Sequence, residues 1–149
     1  MSSALLDVNV LLALGDQDHL QHALAARWFT ANADQGWATC PVTENGFIRI
    51  ISQPAYPNPI TIADAARRLA SAVNDPAHEF WACDHSFVER GRIRASRILG
   101  PSQVTDIYLL SMAVAHSGCF VTLDRRVDIQ AVPGAGAASL VVLGDGNST

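Results

Sequence analysis

Four acidic side chains carry the chemistry this sequence is able to do. Asp7 follows the apolar run Ala4-Leu5-Leu6, Glu44 lies just past the break at Pro41, Asp106 opens an alanine- and leucine-rich stretch, and Asp124 follows Cys119-Phe-Val-Thr122. Each stands just beyond a buried run or in the first turn of a helix, which is where open α/β sheets bind their ligands. None has an obvious basic neighbour placed to neutralise it. Carboxylates that converge in a partly dry cleft repel one another and require compensation. A hard divalent cation supplies it, because magnesium or manganese keeps several waters, takes one or two carboxylates and leaves room for phosphate oxygens. The chemistry implied is in-line attack of an activated water on a phosphodiester, with one or two ions and no covalent nucleophile.

Each acid also has a plainer reading. Asp106 beside Thr105 suits a helix cap, Glu44 in a first helical turn suits the helix dipole, and Asp124 beside Arg125 and Arg126 suits a surface turn with weak ion pairs. Asp7 is harder to explain that way, since an unpaired carboxylate within an apolar run is costly. Asp128 is assigned to solvent.

The elements needed to position these acids follow from the apolar pattern. Ala4–Val8 suits a strand buried on both faces. Leu20, Ala23, Leu24, Trp28 and Ala31 recur at helical steps within 19–33. Trp37–Cys40 is a second strand, and residues 42–52 form a helix with Phe47, Ile48, Ile50 and Ile51 turned largely inward. After the proline-rich segment 53–59, Thr61 with Asp64 resembles a capping box that opens another helix. Glu79–Cys83 forms a third strand, residues 86–99 an arginine-rich helix, and residues 105–117 a helix ending before Gly118. Strands at 119–122 and 139–143 complete the set. Strands alternating with helices predict a three-layer α/β/α sandwich around a mainly parallel sheet. No repeat interrupts it, so one domain over residues 1–143 is expected, with a flexible tail at 144–149.

Composition narrows the function classes. The 149 residues, 49% of them hydrophobic, are enough for a core without disulfide or metal staples. All ten bases are arginine. The absence of lysine excludes a Walker-type phosphate loop and Schiff-base or pyridoxal catalysis. Cys40, Cys83 and Cys119 are odd in number and widely spaced, and read as small hydrophobes of a reducing compartment. The apolar first fourteen residues carry Asp7 and lack a basic leader, which argues against a signal peptide. The stretch 107–123 is too short and polar to span a bilayer. A cytoplasmic location with no membrane association is the expectation.

Four segments, taken in order, resemble the acidic motifs of PIN-domain proteins: Leu5-Leu-Asp-Val-Asn-Val-Leu-Leu12, Pro41-Val-Thr-Glu-Asn-Gly-Phe-Ile-Arg-Ile-Ile51, Val104-Thr-Asp-Ile-Tyr-Leu-Leu-Ser-Met-Ala113 and Val121-Thr-Leu-Asp-Arg125. More narrowly they are similar to VapC-type ribonuclease toxins of type II toxin–antitoxin modules, over nearly the whole chain. The resemblance implies a Mg2+- or Mn2+-dependent endoribonuclease with Asp7, Glu44, Asp106 and Asp124 in the acidic pocket. Asp7 and Asp106 would be the most direct metal ligands. Asn9 and Thr122 would orient the carboxylates from behind. The same resemblance implies an RNA substrate, a cognate VapB-like antitoxin whose tail covers the pocket, and a homodimer.

Arg90, Arg94 and Arg97 share a face if their segment is helical, and with Arg125 they could track an RNA backbone or an acidic antitoxin tail. A solvated helix face accounts for them equally well. His19 and His22 read as helix surface, and Trp28, Trp37 and Trp81 as core or dimer-interface anchors. Two other functions compete. A PIN-like domain that binds RNA or protein without cleaving would share every motif. A receiver-like phospho-accepting domain would need paired acids near the first strand and a lysine after the last, and neither is present. The net charge of −4 runs against a polyanion partner until the four pocket acids are set aside, after which acids and arginines balance.

Overall fold

The first strand begins at the first residues described: the computed structural model describes residues 3–144, and β1 is Ala4–Leu6. It is followed by α1 (Val8–Gly15), α2 (His22–Asn32), β2 (Trp37–Thr39), α3 (Pro41–Ile51), α4 (Ile62–Ala72) and β3 (His78–Phe80). Then come α5 (Val104–Ala115), β4 (Cys119–Thr122) and β5 (Leu140–Val142), with short 3-10 turns between. All strand pairs are parallel, in the order β3-β2-β1-β4-β5. Side chains alternate across the central strand: Ala4 and Leu6 pack with α1, α2, α3 and α4, while Leu5 packs with Phe120 and α5 on the opposite face. This is the expected three-layer sandwich. The proposed tail at 144–149 falls almost wholly outside the described residues.

The order places a topological switch beside β1, where the chain winds towards β2 on one side and β4 on the other. A crevice opens there at the carboxyl ends of the strands. Leu6 is in register with Val121, so the residues that leave these two strands, Asp7 and Leu123-Asp124, emerge side by side. The approach of β4 to β1 is tight. Cys119 N–H bonds the Ser3 carbonyl at 3.1 Å, and a Cβ on Gly118 would stand 2.2 Å from that same carbonyl oxygen. Gly118→Ala is therefore expected to cost about 1–3 kcal/mol in urea unfolding, the range for forced overpacking.

Two expected elements differ in kind, and the third strand ends at Phe80 rather than Cys83. The sequence reading has no helix between Asp7 and Gly15, yet α1 lies there, with Val10, Leu11, Leu12 and Ala13 buried. A helix whose one polar side chain is Asn9 shows little 3.6-residue period and merges with the strand before it. The arginine-rich segment 86–99 is not a helix; it consists of turns and one 3-10 turn, Ala95–Arg97. Gly91 has φ +84; Ile93 and Ile98 pack on the core while Val88 and Leu99 are exposed, so the apolar residues do not form one helical face. Arg90, Arg94 and Arg97 accordingly do not form a helical stripe. Arg94 donates to the Gln130 carbonyl at 2.8 Å, Arg97 to the Gln130 side chain, and Arg92 pairs with Glu89. Elsewhere Thr61 caps α4, its Oγ1 accepting from Asp64 N–H at 3.0 Å, while the Asp64 carboxylate pairs with Arg67, so only the first half of the expected box is made.

Candidate active site

Asp7 is the innermost group. It caps α1 in an extended conformation, its Oδ1 accepting from Val8 N–H at 2.7 Å. Its other oxygen accepts from the Thr122 hydroxyl at 2.7 Å. Thr122 is fully buried at the end of β4, and its oxygen also accepts from Asn9 Nδ2 at 3.3 Å and from Asp124 N–H at 3.0 Å. Asn9 Oδ1 in turn accepts from Leu123 N–H at 3.2 Å. One hydroxyl thus uses its single proton and both lone pairs to join β1, α1 and the turn after β4. Thr122 thus bonds Asp7 directly, and Asn9 bonds Thr122 and the turn that carries Asp124.

The charges of three aspartates meet here. Burial holds the Asp7 carboxyl above its usual range, and the Asp124 charge adds to that, against the opposing hydrogen bonds from Thr122 and Val8. Asp106, in the first turn of α5, is pushed up to about 7. Burial contributes most, followed by the charges of Asp7 and Asp124 and a hydrogen bond that its protonated form shares with Asp124. Asp124 goes the other way: Arg126 holds it below the usual carboxylate range. In the absence of a cation the cluster relieves its repulsion by keeping a proton on Asp106 near neutral pH.

Glu44 is engaged elsewhere. It stands in the first turn of α3, whose Pro41 start and Cys40–Thr43 bonds turn it out of β2. Its Oε2 accepts from the Thr39 hydroxyl at 2.7 Å, and Thr39 also meets His78 Nε2 at 2.7 Å. Since the Thr39 proton goes to Glu44, His78 must donate from Nε2. His78 was not singled out in the sequence; only the β2–β3 register, Trp37 beside His78, brings it to Thr39.

The remaining expected residues spread out. Arg125 donates to the Gly144 carbonyl at 2.6 Å. Arg126, named in the sequence only for the plain surface-turn reading of Asp124, grips it with Nε and a terminal nitrogen, both at 3.1 Å, so this acid does have a basic neighbour. His22 does more than face solvent, because its Nδ1 donates to the Ala13 carbonyl at 2.7 Å. Trp37 is core, with Nε1 on Asp75, and buried Trp81 stacks on His116 at 4.1 Å.

The donor set suits a hard cation: only carboxylate oxygens, with repulsion that no described side chain fully offsets. Among the described residues no three His, Cys, Asp or Glu side chains already surround one point as ligands. Magnesium does not need such a cage, since one or two carboxylates and several waters satisfy its octahedron.

Comparison with known proteins points the same way. No family model matches the chain. Ribonuclease VapC44 of Mycobacterium tuberculosis is 52% identical over 140 residues, covering 94% of this chain and 99% of that protein. Ribonuclease VapC38 of the same organism is 46% identical over 125 residues, covering 83% and 86%. Among solved structures, VapBC2 from Rickettsia felis, bound to a DNA fragment from its promoter, superposes with a TM-score of 0.62 at 13% identity, covering 94% of this chain and 98% of that one. The sarcin–ricin loop cleaving toxin VapC20 of M. tuberculosis gives 0.58 at 11%, covering 78% and 85%.

Proposed function

The chain belongs to the VapC family of PIN-domain ribonucleases, and from that premise we propose that Asp7, Asp106 and Asp124 hold Mg2+ or Mn2+ at the carboxyl end of the sheet to hydrolyse RNA. The observation that carries the assignment is the aspartate cluster itself, in which burial and then the charges of Asp7 and Asp124 raise Asp106 to about 7. When bound, the cation supplies Lewis acidity that favours deprotonation of the attacking water and offsets charge on the phosphate. The protein's own part is orientation. Thr122 and Val8 N–H fix the two oxygens of Asp7, and the Asp124 backbone is pinned to the same hydroxyl. Glu44, held by Thr39 and outside the set of charges that act on Asp106, is given no direct metal contact.

The same reading extends to partners. An apolar cavity of about 290 Å³ lies apart from the carboxylates, lined by Leu11, Leu14, Phe29, Phe47, Leu69 and Ala72 and edged by Arg68 and Asp75. An amphipathic segment of a VapB-like antitoxin fits such a groove, in keeping with the toxin–antitoxin assembly of the Rickettsia structure. A homodimer is part of the proposal, supported by exposed Phe80 on the edge strand β3. No described helix is long and apolar enough to cross a membrane.

The decisive experiment incubates purified protein with total RNA in magnesium and then in chelator. Discrete fragments in magnesium and loss of cleavage by at least about a hundredfold in chelator are expected, given what an activated water contributes. Equal cleavage in both, or binding without cleavage in magnesium, overturns the proposal.

A further inference from the structure

We propose that Arg126 is the resident counter-cation of this pocket, holding Asp124 until the divalent cation and RNA arrive and then passing its two-pronged grip to a substrate phosphate. The inference rests on the pocket reading above. Its evidence is the geometry of one turn. Asp124 Oδ1 accepts from both Arg126 N–H at 2.9 Å and Arg126 Nε at 3.1 Å, while Oδ2 accepts from the terminal nitrogen at 3.1 Å. Both oxygens that a cation would take from Asp124 are therefore covered by a guanidinium.

Exposure shows which partner can move. The Asp124 side chain is 17% accessible, whereas that of Arg126 is 63% accessible. The carboxylate is also held without the guanidinium, by the Arg126 backbone N–H, and the Asp124 backbone N–H is anchored on Thr122 Oγ1. The guanidinium is thus a detachable clamp on a fixed acid. Its reach extends past Asp124, because its charge also opposes the rise of the Asp106 carboxyl. Adjacent Arg125 is already committed to the Gly144 carbonyl, and Arg94 and Arg97 to Gln130. Arg126 is the arginine these contacts leave beside the aspartates. A planar fork that fits a carboxylate fits a phosphate equally well.

A competitor and a purely structural clamp differ in sign. Mn2+ binding to the full-length protein, read from the paramagnetic resonance of free Mn2+, should tighten about fivefold in Arg126→Gln, the size of a partly exposed ion pair. RNA cleavage by the same variant at saturating Mn2+ should fall at least about tenfold, as expected on losing one phosphate-stabilising donor. Arg126→Lys keeps the charge without the fork, so it should restore the wild-type Mn2+ affinity more than the cleavage rate. Mn2+ binding that weakens or stays constant in Arg126→Gln overturns the proposal, as does tighter Mn2+ binding with undiminished cleavage. Asp106→Asn in the same titration separates the two levels: if it binds Mn2+ as wild type does, the metal pocket itself is wrong, whatever Arg126 does.

Discussion

Asp106→Asn is expected to abolish RNA cleavage while stabilising the metal-free protein at neutral pH. Stability and activity part company because the carboxyl is held near 7 by burial and by the charges of Asp7 and Asp124. Unfolded, Asp106 titrates near 3.8. Between those values the folded chain binds the proton and the unfolded chain releases it, so stability is fully present below about 4 and is lost as pH rises towards 7. Asparagine removes that loss. The gain in chelator at pH 7.5 should be on the order of 1–2 kcal/mol, or a few degrees in Tm. Unfolding curves of wild type and variant should converge as pH falls to 4. Magnesium should stabilise wild type and leave the variant nearly unchanged. An Asp106→Asn protein that is less stable than wild type in chelator at pH 7.5 would refute the charge cluster.

Thr122→Val should damage both fold and site. The swap is close to isosteric, so any effect comes from the hydroxyl. Its loss strands Asp7 Oδ2, Asn9 Nδ2 and Asp124 N–H together, all near the buried end of β4. Each unsatisfied buried group costs about 1–3 kcal/mol, and partial relief by water brings the total to roughly 2–4 kcal/mol. Asp7 also loses the side-chain bond that restrains its upward shift. Metal affinity and cleavage should fall about 10- to 100-fold, the usual effect of losing a partner that orients a ligand. Thr122→Ser keeps the oxygen and should recover most of both. If Val matches Ser in urea unfolding and in Mn2+ titration, the hydroxyl is not the junction described.

The two departures from the sequence reading have one physical source. Residues 105–117 and 119–122 were legible because each shows its own period and ends at a clear break, Gly118 or Asp124. The helix α1 was not, because an element with no exposed residue and a single polar side chain, Asn9, has no polar face to set its phase. Segment 86–99 failed in the opposite direction. Arginines spaced three and four apart look helical, but local spacing cannot reveal that Val88 and Leu99 find no core. Long-range contacts decide there, with Arg94 and Arg97 closing on Gln130 more than thirty residues away.

The candidate acids divide similarly. Their type and order after buried runs are properties of the chain and can be read from it, as can the doubly wound sheet and the family. Which oxygens face which partners is a property of the sheet order. Only the β1–β4 pairing sets Thr122 on Asp7, and only the β2–β3 register brings His78 to the Thr39 that holds Glu44. Residue type is local information, carried by each position independently. A carboxylate's charge state and orientation are set by groups within a few ångströms, and folding alone brought those groups together from across some 115 residues of chain.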